Sequence, residues 1–133
     1  MTAEEKYEYW LDIAEYDLES ANTMFAGGRW LYVVFMCQQA IEKLVKGLYI
    51  LYVDDDVPRL HDINDILSRF SDKLPSTISE EQRNFFDRLS RYYLNNRYPE
   101  YIRKLSLQIK QSEAKEVMEK AKEEFKWLLT LHP

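Results

Sequence analysis

Nine residues, Arg91-Tyr92-Tyr93-Leu94-Asn95-Asn96-Arg97-Tyr98-Pro99, hold the densest chemistry in this 133-residue chain. A guanidinium presents a planar fork of donors that matches a phosphate. A phenol ring offers a face on which a nucleobase stacks. The surrounding pattern places these groups at a helix end. Phe85, Phe86, Leu89, Tyr92 and Tyr93 form an apolar stripe behind Ser79 and Gln82, a capping box. Asn95 and Asn96 are good helix terminators, and Pro99 disfavours helix at Tyr98. The segment is therefore a candidate anion-and-base site: Arg91 and Arg97 toward phosphate, Tyr98 and Tyr93 toward a base, Asn96 as a hydrogen-bonding group. The plain alternative is a solvated helix face and loop.

Charge is distributed to match. The net formal charge is −5, which argues against bulk nucleic-acid binding. Between Arg83 and Lys104, however, six basic residues face two acidic ones, a local +4 that leaves −9 elsewhere. Five of the eight arginines lie in this window.

Other reactive groups are few. His61 precedes Asp62, which is suited to cap a short helix, so His61 either hydrogen-bonds to a neighbouring helix or serves as a weak catalytic candidate. His132 is next to the C-terminus, where fraying is normal, and no functional role is expected of it. Cys37, the single cysteine, sits in an apolar run and reads as a buried, inert thiol suited to a reducing compartment. No metal-ligand set, P-loop or nucleophile elbow is present, and no cofactor is implied. Gln38, Gln39, Glu42, Lys43 and Lys46 share one broad polar face of the second helix. Glu42 and Lys46 have the spacing of an exposed ladder pair. Yet Gln39 and Glu42 lie in a very apolar helix and need partners, for which an arginine between Arg83 and Arg103 is the expectation.

These groups require helices to position them. A first helix is predicted from Ala3 to Phe25, ended by Gly27-Gly28 as an αL cap and tight turn. A second, from Arg29 to Val53, is apolar over so much of its circumference that it must be central or carry two interfaces. A short helix over Asp62–Phe70, one from Ser79 toward Tyr93, and a last one from Ser112 to Leu131 follow. Tyr101–Ile109 alternates like a strand, but a lone strand forms no sheet, so an irregular or short helical crossover is expected. The sum is an all-α, up-and-down antiparallel bundle of about five helices, four long and one short, in a single domain over residues 1–133. The charges within Trp30–Val53 argue against a membrane span. The first six residues show no signal peptide, and a cytoplasmic location is expected.

Several segments in order resemble the HEPN domain family. Trp10, Ala14, Asp17-Leu18 and Ala21 are similar to its first helix. Gln38-Gln39-Ala40-Ile41-Glu42-Lys43-Leu44-Val45-Lys46-Gly47 resembles its QQAxEKxxKG signature, and His61-Asp62-Ile63 with Leu67 its HDL segment. Asn96-Arg97-Tyr98-Pro99 resembles its RYP turn, and Glu113-Ala114 through Ala121 its closing helix. The resemblance implies a bundle of about five helices that pairs as a homodimer. It also implies a prokaryotic setting beside a minimal nucleotidyltransferase, commonly as a toxin–antitoxin pair. Many relatives are metal-independent ribonucleases with an Arg, four to six residues, then His, often followed by x-Tyr. In those relatives the Arg holds the scissile phosphate and the His transfers a proton.

This chain departs at that point. Its pattern is Arg91-x4-Asn96-x-Tyr98, and neither His61 nor His132 stands at the motif spacing from an arginine. Tyr98 matches a tyrosine that the nucleotidyltransferase adenylylates in some relatives. Asparagine transfers no proton near neutral pH. The sequence therefore favours a non-catalytic module that binds a nucleotide, RNA phosphate or partner protein through Arg91, Tyr93, Asn96, Arg97 and Tyr98, with Gln39 and Glu42 as further ligand-binding candidates. A divergent ribonuclease using Arg91 and His61 is the alternative, and a purely structural partner the third.

Overall fold

The computed structural model describes residues 1–95 and 97–133. Its helices are α1 (Ala3–Ala26), α2 (Trp30–Tyr52), α3 (Ile63–Leu67), α4 (Glu80–Ser90), α5 (Pro99–Gln108) and α6 (Gln111–Leu129), with a 3₁₀ turn at Ser71–Lys73. The chain is an all-α bundle, and no strand occurs among the described residues. No helix of the described residues is long and apolar enough to cross a membrane.

Local chemistry sets the helix ends. Thr2 and Glu5 form a capping box, each side chain accepting the other's backbone N–H at 3.1 Å. At the far end of α1 the Arg29 N–H donates to the Met24 carbonyl at 2.9 Å and the Gly28 N–H to Phe25 at 3.1 Å. This is a Schellman closure, and Gly28 takes the left-handed φ of 72° that it requires. Asp62 caps α3 by accepting from the Asp65 N–H, and Ser79 caps α4 by accepting from Gln82.

α2 is the centre, packing against every other α-helix. Sixteen of its 23 residues are buried, so polar residues of its sequence are carried inside with the apolar ones. Gly47 is where α1 comes closest: a Cβ there would lie 3.1 Å from Trp10 Cβ and 3.3 Å from the Tyr7 ring. Asp17, the polar exception on the first helix stripe, is bonded to Lys43 Nζ of α2 at 2.5 Å.

Of the two forms expected for the crossover the structure has the short helical one, ten residues over Pro99–Gln108. Pro99 is its first residue, where a fixed φ and a missing N–H cost nothing, and Tyr98 before it is extended as a residue preceding proline should be. The apparent alternation arose because Ile102 and Leu105 turn half inward while Leu107 is 64% exposed and Ile109 lies past the helix end. α5 has no buried residue. α4 stops at Ser90, so Tyr92 and Tyr93 belong to the turn beyond it.

Candidate functional site

α3 and the end of α4 are locked together by small polar groups. The Ile63 N–H donates to Ser90 Oγ at 3.0 Å, and Asn64 Nδ2 donates to Asp87 Oδ1 at 2.7 Å and to the Arg83 carbonyl at 2.9 Å. This fixes the segment before α3, which carries His61, against the turn after α4. A cleft of about 240 Å³ results, lined by His61, Asp62, Asp87, Ser90, Arg91, Tyr93 and Arg97. His61 and Arg91, thirty positions apart in sequence, thus share one cleft.

The His61 ring is held on two sides. It stacks on Tyr93 with centroids 3.9 Å apart and planes 13° from parallel. Its Nδ1 lies 3.2 Å and 3.3 Å from the two Glu42 oxygens. A carboxylate only accepts, so Nδ1 carries the proton, and in the neutral ring Nε2 is left as an acceptor. The side chain is 42% exposed, so the ring is both held and reachable.

Glu42 heads a buried polar relay. Gln39 Nε2 donates to Gln38 Oε1 at 2.7 Å, Gln38 Nε2 to Glu42 Oε1 at 2.7 Å, and Lys46 Nζ to Glu42 Oε2 at 2.9 Å. Glu42 and Lys46 are 5% and 7% exposed, so the pair is a core pair and not a surface ladder. The expectation that an arginine between Arg83 and Arg103 would partner Glu42 is overturned: its partners are Gln38, Lys46 and His61. Burial explains this, because α2 presents Gln38, Glu42 and Lys46 as one inward strip that satisfies itself within the helix. Gln39 and Glu42 therefore do not line the cleft but stand behind it, holding His61.

The basic residues divide into structural and available. Arg88 donates to Glu116 at 2.5 Å and to Tyr92 Oη at 3.4 Å, and Tyr92 donates to Glu113 at 2.6 Å. Burial, then the Glu113 hydrogen bond, push the Tyr92 phenol up to about 12, so this tyrosine is structural. Arg91 caps α4, and its guanidinium has no hydrogen-bond partner among the described residues. Arg97 donates through Nε to the Tyr93 carbonyl at 3.3 Å and lies 5.2 Å from the centroid of the Tyr101 ring. The cleft's two acids are engaged, Asp62 by the α3 cap and Asp87 by Asn64. Tyr98 is 84% exposed, whereas Tyr93 gives one face to His61. Asn96 lies outside the described residues. The sequence names Arg91, Tyr93, Arg97 and His61 of this cleft and allows His61 a hydrogen bond to a neighbouring helix; for the relay behind it the signal is polar Gln39 and Glu42 in an apolar helix. The pairing of Glu42 with His61 was not legible.

The model of the HEPN domain matches residues 7–131. Among solved structures the chain is similar to TT1696 from Thermus thermophilus, with a TM-score of 0.80 and 23% identity over 94% of this chain and 97% of that one. It is also similar to ST0689, an archaeal HEPN homologue, with a TM-score of 0.72 and 25% identity over 96% of this chain and 98% of that one. No curated protein matches. The family model spans the relay, the cleft and the closing helix alike, and the chain belongs to the HEPN domain family.

Proposed function

We propose that this chain binds a phosphate-bearing ligand, a nucleotide or RNA, in the cleft between α3 and the end of α4. The observation that carries this reading is the convergence of Arg91, Arg97 and the held His61 ring on one opening. Arg91 and the free nitrogens of Arg97 contact phosphate, His61 adds a directional group at Nε2, and Tyr98 offers an exposed ring for a base. The setting we propose is a homodimer that accompanies a minimal nucleotidyltransferase, as in toxin–antitoxin pairs. Light scattering and co-purification with such a partner test that part. For the ligand, calorimetric titration with nucleoside triphosphates and short single-stranded RNA should give saturable binding that Arg91→Ala weakens about tenfold or more, a loss of at least ~1.4 kcal/mol. A flat titration of the native protein refutes the reading.

One observation favours a second reading, a divergent ribonuclease: a buried carboxylate stands behind an imidazole in the same cleft as Arg91. That arrangement orients a ring nitrogen for proton transfer. Cleavage of labelled RNA in the presence of a chelator, lost in His61→Asn and in Arg91→Ala, would support it. Undiminished cleavage in His61→Asn excludes His61 as the base.

A further inference from the structure

A cavity larger than the His61 cleft lies elsewhere in the fold. It has a volume of about 460 Å³ and lies where the α1–α2 turn meets α5, between Arg29, Trp30 and Tyr32 on one side and Pro99, Ile102 and Arg103 on the other. Two arginines from opposite ends of the sequence meet there, and no acidic residue lines it. In a chain of net charge −5, a cavity with two cations and no anion is a specific electrostatic feature. Neither guanidinium has a hydrogen bond or ion pair among the described residues. Apart from Ser106, the walls are otherwise glycine, apolar or aromatic. Trp30 is fixed edge-on against Phe25 at 5.2 Å, so its indole is preorganised. Gly28 leaves the rim without a side chain, and its left-handed φ of 72° is one that most side chains avoid.

Two cations set among planar apolar groups suit a ligand that is anionic at one end and flat at the other, which is the chemistry of a nucleotide. The cavity also adjoins the His61 cleft. Arg97 lines the cleft and Pro99 lines the cavity. Two residues span at most about 7 Å, and the residue between them is Tyr98, the most exposed tyrosine of the chain at 84%.

We propose that this cavity is a second binding site, which takes one further base and the two phosphates that flank it, so that a single-stranded RNA held at Arg91 continues over Tyr98 into it. This rests on the reading of the cleft as a phosphate site. The site contributes affinity for chain length, through two more phosphate contacts and one stacked base.

The test compares uridine triphosphate with fluorescent single-stranded oligouridine of about twelve nucleotides, for the native chain, Arg91→Ala, and Arg29→Gln combined with Arg103→Gln. Both exchanged arginines are exposed, and circular dichroism verifies the fold. The double variant should retain the triphosphate binding at the cleft that Arg91→Ala removes, and should bind the oligonucleotide at least about tenfold more weakly. Its plot of log affinity against log salt should be shallower by about 1.4, two phosphates at about 0.7 each. Native oligonucleotide affinity and salt slope in the double variant overturn the second site while leaving the cleft reading standing. Loss of oligonucleotide binding in the double variant with no effect of Arg91→Ala refutes the cleft instead and keeps this site. Equal affinity for a blunt duplex of the same length overturns the stacked base, and with it the proposal.

Discussion

Glu42→Gln probes the link between the core and the cleft. The substitution keeps the volume and removes the charge. The carboxylate now satisfies three donors: Gln38 Nε2 at 2.7 Å, Lys46 Nζ at 2.9 Å and His61 Nδ1 at 3.2 Å. An amide has one acceptor oxygen, and its nitrogen donates, so it meets at least one of those donors with another donor. Lys46, 7% exposed, loses its counter-charge. Breaking a buried pair by removing one partner costs about 3–5 kcal/mol. The long stem of Lys46 lets its ammonium shift toward water, which places the expected loss near ~3 kcal/mol. For a chain of this length each kcal/mol moves the midpoint by about 3–5 °C, so Tm should fall by about 10 °C. Thermal and urea unfolding measure this directly. Replacing both partners by apolar residues, Glu42→Leu with Lys46→Met, should recover only part of the loss, because no charge is left behind but the buried Gln38 Nε2 loses its acceptor. The same variant should alter the cleft. Imidazole nitrogen chemical shifts should report a proton on Nδ1 of His61 in the native chain and a mixture of tautomers in Glu42→Gln. A Tm within about 1 °C of native, with an unchanged tautomer, refutes the relay.

Two further outcomes follow from the remaining buried or paired groups. Burial pushes the Cys37 thiol up to about 12, far from the thiolate that reacts, so a thiol reagent should label the native chain only as fast as it opens and label it at once in denaturant. For His132, burial pulls the ring down, but hydrogen bonds to Glu4 and the Pro133 carbonyl outweigh it, leaving the pKa raised above 6.5. A group with a raised folded pKa stabilises below its unfolded value and loses that contribution as pH rises through the folded value. The difference in Tm between native and His132→Gln should therefore be larger near about pH 6 than near about pH 8; an equal difference at both refutes the charged contact with Glu4.

The fold was legible wherever burial and capping speak together. Gly27-Gly28 marked the end of α1 because only a glycine takes the left-handed turn there. The apolar circumference of Trp30–Tyr52 marked the centre of the bundle, since no other position buries so much of a helix. α5 was less legible because its signal is weak in physical fact. It buries no residue fully, so its hydrophobic spacing is free to resemble a strand, and its start is marked by little more than Pro99.

The site divides in the same way. Arginines and tyrosines after α4 announce themselves by composition, but what they face is a matter of tertiary contact. Arg29 and Arg103 meet only because α5 crosses the α1–α2 turn, and nothing local to either residue reports it. His61 reaches Arg91 because Ser90 and Asp87 tie α4 to α3, and it is held there because burial leaves Glu42 no solvent partner. This bears on the meaning of Asn96. In a linear motif the missing histidine removes the proton-transfer group. In three dimensions an imidazole enters the arginine cleft from the loop before α3, with a carboxylate on Nδ1 and Nε2 left over. The motif is thus broken in sequence while its two kinds of side chain remain neighbours in space. Whether that neighbourhood binds or cleaves depends on where Nε2 stands relative to a phosphate on Arg91, and chelator-resistant cleavage by the native chain against His61→Asn separates the two.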